Sequence, residues 1–209
     1  MNQMNEEQFQ NVAPEEPAQG PSLTSEVSAF FWETIKIVTI SLIIILPIRY
    51  YIVQPFFVKG ASMESNFHDG DYLFVDELSY QLGIPSRGDV VIFREPIKQK
   101  EFYIKRVIGL PNETVEIKNN KVIIYNTQNP QGLVLTETYL DASQQTLGTM
   151  RMKLDDNEYF VLGDNRLRSS DSRVWGALNK SLITGKAFIR LWPFSKVAKI
   201  PNINYPNSN

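Results

Sequence analysis

One long apolar run and a series of short ones divide this chain. The long run, "VSAFFWETIKIVTISLIIILPIRYYIVQPFFV" over residues 27–58, is free of charge only from residue 37 to 48. A charge-free stretch that short fits a buried or interfacial helix as well as a bilayer span. Three features favour a transmembrane helix. Lys36 and Arg49 stand at opposite ends, where their long side chains can reach opposite interfaces. Phe30, Phe31 and Trp32 precede the run and Tyr50 and Tyr51 follow it, as interfacial aromatic belts do. From Ala29 to Val53 a helix would extend roughly 37 Å, more than the ~30 Å of a hydrocarbon core. The pattern therefore predicts an anchor over residues 27–53.

From Gln54 onward the periodicity shortens. "YLFVDEL", "DVVIFRE", "EFYIKRVIGL", "TVEIKNNKVIIYN", "EYFVLGD" and "KAFIRLW" are runs rich in β-branched and aromatic residues, separated by Gly, Pro, Asn and Asp. They predict a β-rich domain over residues 54–200. Asn119 and Asn120 form a two-residue hairpin turn in this reading, because asparagine tolerates positive φ. Residues 126–152 are polar and read as an irregular excursion from the β core. Residues 1–26, rich in Gln, Asn, Glu and Pro, cannot bury enough surface to offset ordering and read as a disordered tail. Residues 201–209 read as a second loose tail.

Composition narrows the chemistry. The 209 residues are 43% hydrophobic and 21% charged, enough for one domain with a core. A net charge of -2 gives no basic face for nucleic acid. With no cysteine, disulfides, thiolate metal sites and a Cys nucleophile are excluded. The single histidine, His68 in "HDGD", lacks the further ligands of a metal site and reads as part of a solvated turn, so no metal and no cofactor is expected. No Lys or Arg precedes Lys36, which argues against a cleavable signal peptide with a basic start.

Three segments carry candidate chemistry. Ser62 in "KGASM" alone reads as a turn residue, since a serine hydroxyl needs a base to remove its proton. His68 is six residues away, which leaves a Ser/Lys pair as the more plausible arrangement than a Ser-His-Asp triad. Lys105 lies within "FYIKRVIGL", on one strand face with Tyr103 and Val107, while Arg106 faces the other way with Ile104 and Ile108. Alone, Lys105 reads as a strand lysine reaching out to water. As a base it would need strong desolvation, because at the ordinary pKa only about one lysine in 2,500 is neutral at pH 7. Arg106 cannot take that role, because a guanidinium does not deprotonate in proteins. The third segment, "GDNRLRSSDSRVWG" over residues 163–176, is dense in hydroxyls and opposite charges. It reads either as a solvated loop or as a network bracing a buried lysine.

Taken in order, "PFFVKGASM", "GDYLFV", "RGDVVIF", "YIKRVIGLP", "GDNRLRSSDSRVWG" and "GKAFIRLWP" resemble the bacterial type I signal peptidases, from the anchor to about Pro193. The resemblance implies a mostly β fold, with a single N-terminal transmembrane helix followed by an antiparallel β-barrel-like catalytic domain. It implies a membrane-bound serine endopeptidase that cuts signal peptides from exported preproteins after small residues. By its pattern Ser62 is the nucleophile, and its own N–H is part of the oxyanion hole. Lys105 is the general base, Ser169 hydrogen-bonds that lysine, and Asp171 and Arg173 hold the loop. Phe56, Val58, Met63, Tyr103 and Ile104 would wall the pockets for small side chains, with the substrate adding as a strand. The implied partners are signal peptides and the lipid bilayer, and the implied location is a single-pass protein with its catalytic domain on the extracytoplasmic face. The acidic tail before the anchor and Arg49 and Lys59 after it run against the usual charge rule for that orientation.

The chain also departs from the family pattern. Glu64-Ser65-Asn66 stand where many members have x-Pro-Thr, which removes a proline that stiffens the nucleophile loop. Gly60 stands where some members carry a serine, and "LPNE" replaces Leu-Pro-Gly-Asp, with Asn112 able to take the same left-handed turn. Two other readings remain: a self-cleaving Ser/Lys protease of the repressor type, disfavoured by the anchor and the lack of a DNA-binding element, and a non-catalytic membrane-tethered β module.

Overall fold

The computed structural model describes residues 23–51, 53–203 and 205. The expected N-terminal tail thus lies largely outside the described residues, as do residues 204 and 206–209. The chain divides near residue 45 into two units. Helix α1, Leu23–Tyr51, makes up the described part of the first and its last turns belong to the second. Residues 23–26, assigned to the tail from composition, are therefore helical. The helix stops short of residue 53 because Val53 is already a strand residue opposite Asp76. Over Glu26–Leu46 the side chains of α1 are exposed and mostly apolar, and the segment is long and apolar enough to cross a membrane.

The second unit is built from β1 (Val53–Phe57), β2 (Tyr72–Asp76), a short helix α2 (Leu78–Leu82), β3 (Val90–Arg94), β4 (Phe102–Gly109), β5 (Thr114–Lys118), β6 (Lys121–Tyr125), β7 (Leu133–Val134), β8 (Met150–Lys153), β9 (Glu158–Leu162), a one-turn helix α3 (Ser172–Trp175), β10 (Leu178–Asn179), β11 (Ile183–Trp192) and β12 (Ala198–Lys199). Two sheets form, both antiparallel. The larger runs β1-β2-β11-β3-β4-β9-β10 with β12 on β11, and the smaller runs β7-β6-β5-β8. The barrel-like sheet is open, with β1 at one edge. The excursion expected at 126–152 is only partly irregular: it contributes β7 and the start of β8, because Leu133 and Met150 carry the alternation needed to cover the β5–β6 hairpin. Likewise the C-terminal segment is not loose throughout, since Ile203 and Tyr205 pack into the core of the smaller sheet.

Period-two alternation places the core. Val90 and Ile92 face a cluster with Met63, Phe67, Leu73 and Ile104, while Val91 and Phe93 face one with Val107, Tyr159 and Val161. On β9, Phe160 and Leu162 turn to a third cluster with Ile108, Val115 and Ile124. The central strands are thus covered on both faces, which is why they are near-continuous hydrophobic runs. Between the sheets lies a buried ion pair, Arg87 to Glu113 at 2.6 Å, with the Glu113 carboxylate also accepting from the Leu110 N–H at 2.8 Å. The hairpin turn at Asn119 and Asn120 has φ of 52° and 60°, and Asn112 has φ of 66°, as the sequence suggested.

Gly109 marks where β4 bulges between the sheets, at a register shift against β9. A Cβ there would lie 2.4 Å from Val115 Cγ2 and 2.9 Å from Phe160 Cβ. Gly109→Ala is therefore expected to destabilise the fold by about 1–3 kcal/mol through overpacking, read as a lower denaturant midpoint at unchanged slope.

Candidate active site

Ser62 and Lys105 meet. Lys105 Nζ lies 2.8 Å from Ser62 Oγ and donates to the Ile104 carbonyl at 2.9 Å. Lys105 is 4% exposed, and burial pushes its amine down from 10.5 to about 8, against the opposing pull of Asp171 and Asp164. Desolvation wins because an ammonium loses more hydration here than two acids return, each of them already engaged by an arginine. The amine lies 5.5 Å from the centre of the Tyr103 ring, which shares its strand face.

The Ser62 loop is held by side chains, with no proline at the Glu64-Ser65-Asn66 step. Met63 and Phe67 are buried in the core, and the loop turns are closed by Glu64 N–H to Ala61 O at 3.2 Å and Phe67 N–H to Met63 O at 2.9 Å. Asn66 donates to the Tyr139 carbonyl and to Asp164 Oδ2, both at 2.9 Å. Asp69 Oδ1 accepts from the Gly60 N–H at 2.7 Å, so that N–H is occupied. Among the described residues the Ser62 N–H has no protein acceptor.

A second loop clamps the first. Asn165 N–H donates to the Ser62 carbonyl at 3.0 Å and Asn165 Nδ2 to the Ala61 carbonyl at 3.0 Å. Asp164 receives Arg106 through two bonds, at 2.9 and 2.6 Å, and both residues are buried. Asp171 accepts from Gly163 N–H at 3.1 Å and from Arg173 Nε and Nη2 at 2.8 and 2.9 Å, while it caps α3. Between the loops only glycine fits at 163: a Cβ there would lie 2.2 Å from Ser169 Oγ and 2.4 Å from the Ser62 carbonyl oxygen.

Beside the pair, a cavity of about 230 Å³ is lined by Phe56, Val58, Tyr103 and Ile104, and also by Phe57, Leu73, Ile92, Phe102 and Ser170, which sequence reasoning did not single out. Two expectations need correction. Met63 does not wall this cavity: it is fully buried in the core, with its sulfur 3.4 Å from the Asp164 N–H, because its unbranched side chain points inward to anchor the loop. Ser169 does not hydrogen-bond Lys105: its buried hydroxyl has no protein partner, lying over Gly163, while the amine is met by Ser62 and the Ile104 carbonyl. Sequence reasoning read Gly163-Asp164-Asn165 as a turn and Arg106 as a strand cation. It missed that together they tie β4 to the Ser62 loop. The adjacency of a strand Arg and a "GDN" turn carries no distance information, so no local signal could reveal it.

Residues 31–192 match the family described as "Signal peptidase, peptidase S26". A signal peptidase I of Leptolyngbya laminosa is 32% identical over 192 residues, covering 88% of this chain and 91% of the relative. Signal peptidase IB of Staphylococcus aureus is 32% identical over 175 residues, covering 78% and 91%. The crystal structure of a signal peptidase I from Enterococcus faecalis is 29% identical, covering 49% of this chain and 96% of that one, at a TM-score of 0.41.

Because the folded chain disfavours the ammonium, burial of Lys105 costs stability while both folded and unfolded states are protonated, below about pH 8. That cost shrinks as pH rises toward 10.5 and vanishes beyond it. Lys105→Met is accordingly expected to raise unfolding free energy at pH 7 by up to about 3 kcal/mol, with the gain fading in alkali; denaturant curves at several pH values measure it.

Proposed function

Since the chain belongs to the signal peptidase family, we propose that it acts through Ser62 as nucleophile and Lys105 as general base. The protein is a serine endopeptidase that removes signal peptides from exported preproteins. The observation that carries the assignment is the 2.8 Å contact between a hydroxyl and a dry amine. With the amine at about 8, roughly a tenth of the molecules hold it neutral at pH 7, roughly two to three hundred times the fraction for a solvated lysine.

The reaction follows from the geometry. Neutral Lys105 takes the Ser62 proton as Oγ attacks the scissile carbonyl. The negative charge that develops on the carbonyl oxygen is met by the Ser62 N–H, whose position is fixed by the Asn165 bond to the same residue's carbonyl. The ammonium then protonates the leaving amine, the mature protein departs, and the acyl group remains on Ser62. Lys105 next draws a proton from water, which cleaves the ester. Asp171 and Arg173 act at one remove, by fixing Gly163 and the loop, and Ser169 fills the space over Gly163.

Substrate recognition is assigned to the cavity between β1 and β4. β1 is an edge strand, and Phe102–Lys105 of β4 carry a β3 partner on one side only, since β9 pairs from Arg106 onward. A peptide strand added there would place small side chains against Phe56, Val58, Tyr103 and Ile104, in keeping with an Ala-x-Ala-like preference. A non-catalytic module is disfavoured, because a degraded site has no reason to keep a lysine buried against a serine.

Helix α1 is assigned to the bilayer on its apolar perimeter, and the catalytic unit to the extracytoplasmic face, where translocated preproteins present their cleavage sites. Independent support for lipid contact comes from aromatics on β1, β2 and β11. Phe57 stacks edge-on against Tyr72 at 4.5 Å, Tyr72 is the strand partner of Trp192, and Trp192 meets Phe194 at 4.7 Å, with Phe57, Trp192 and Phe194 exposed.

In detergent micelles with a preprotein substrate, Ser62→Ala and Lys105→Met are each expected to lower kcat about a thousandfold or more. For the unaltered protein kcat/KM is expected to climb with pH through a midpoint near 8, as the amine loses its proton. Processing by either variant at the original rate, or a flat profile from pH 6 to 9, contradicts the assignment.

A further inference from the structure

A second cavity, of about 410 Å³, lies against the 167–174 loop. Its lining includes Leu147 and Met150 from one side and Leu167, Ser169, Arg173 and Val174 from the other. Three of these are aliphatic and unusually open to solvent: Leu147 is 52% exposed, Leu167 56% and Val174 73%. The two cations of its lining are already satisfied, since Arg173 pairs with Asp171 and Arg166 with Glu137. What the cavity offers a ligand is therefore apolar surface.

Its position is the telling feature. Ser170 lines the first cavity and Ser169 the second, so one residue step separates them. Ser169 Oγ and the Ser62 carbonyl also flank the same empty Cβ position at Gly163. The loop that lines the second cavity thus packs directly on the Ser62 loop. An extended peptide advances about 3.3 Å per residue, so a chain running from the first cavity across Ser62 reaches this step within two to four residues of the cut.

We propose that this cavity is a subsite for the mature side of the substrate, taking an aliphatic side chain two to four residues beyond the scissile bond. The proposal rests on the assignment of Ser62 and Lys105 as the reactive pair and of the first cavity to the signal peptide. It makes the 126–152 segment, which supplies Leu147 and Met150, part of substrate recognition.

Two preproteins with the same signal peptide and cleavage site, carrying either leucines or serines at the second to fourth mature positions, test it with the full chain in micelles. The leucine substrate is expected to have a kcat/KM about tenfold higher, expressed mainly in KM, since the contact is equal in ground and transition states. In Leu167→Asp/Val174→Asp, both at exposed positions, the ratio between the substrates is expected to fall to about one. Val174→Asp alone, at the more exposed site, should lower the ratio in the same direction if the double variant folds poorly. A ratio near one in the unaltered protein, or a ratio unchanged in these variants, overturns the subsite while leaving the peptidase intact. Cleavage of neither substrate by the unaltered protein overturns the peptidase reading, and the subsite with it.

Discussion

The contact between Ser62 and Lys105 depends on keeping an amine dry beside two acids. Asp164 and Asp171 both favour the ammonium, and unopposed they would restore an ordinary lysine. Each is instead gripped through two bonds by an arginine, Asp164 by Arg106 and Asp171 by Arg173. The pairing spends their charge on loop geometry and leaves desolvation to set the lysine. Neither arginine could trade places with Lys105, because the same guanidinium that serves as a permanent clamp cannot give up a proton.

The site is assembled from sequence-distant parts whose strengths differ. Strand β4 supplies both Lys105 and its neighbour Arg106, so the buried amine and the guanidinium that grips Asp164 are fixed by one backbone. The serine sits on a loop, where precision has to come from anchors: Met63 and Phe67 in the core, Asn165 on two successive carbonyls, and Asn66 bridging to Asp164. Behind that clamp, Arg166 is buried with Glu137, Tyr139 and Thr146 as partners, so the 126–152 segment braces the loop that braces the serine.

Much of the architecture was legible because burial writes itself into period-two runs. Strands β2, β3, β4, β9 and β11 of the larger sheet, the Asn119-Asn120 hairpin and the apolar helix all follow from alternation and turn chemistry. β7 and β10 were not legible, because at two residues each they carry no period and exist only by pairing with a longer strand. At the site, Ser62 and Lys105 could be named from residue order through family resemblance. The exchange of Pro-Thr for Ser65-Asn66 left loop rigidity open, and the answer lay in Asn66, whose partners at Tyr139 and Asp164 are 73 and 98 residues away. Met63 and Ser169 were misjudged for a similar reason: which way a loop side chain points is decided by tertiary packing, about which the local sequence is silent.

The central claim is that the Lys105 amine is uncharged in a usable fraction of molecules at neutral pH. Titrating that amine directly, by nuclear magnetic resonance of a protein carrying isotope-labelled lysine in micelles, with Lys105→Met to assign the signal, tests it most closely. A midpoint near 8 agrees with the buried geometry. An amine that stays protonated until it titrates near the ordinary lysine value would contradict it.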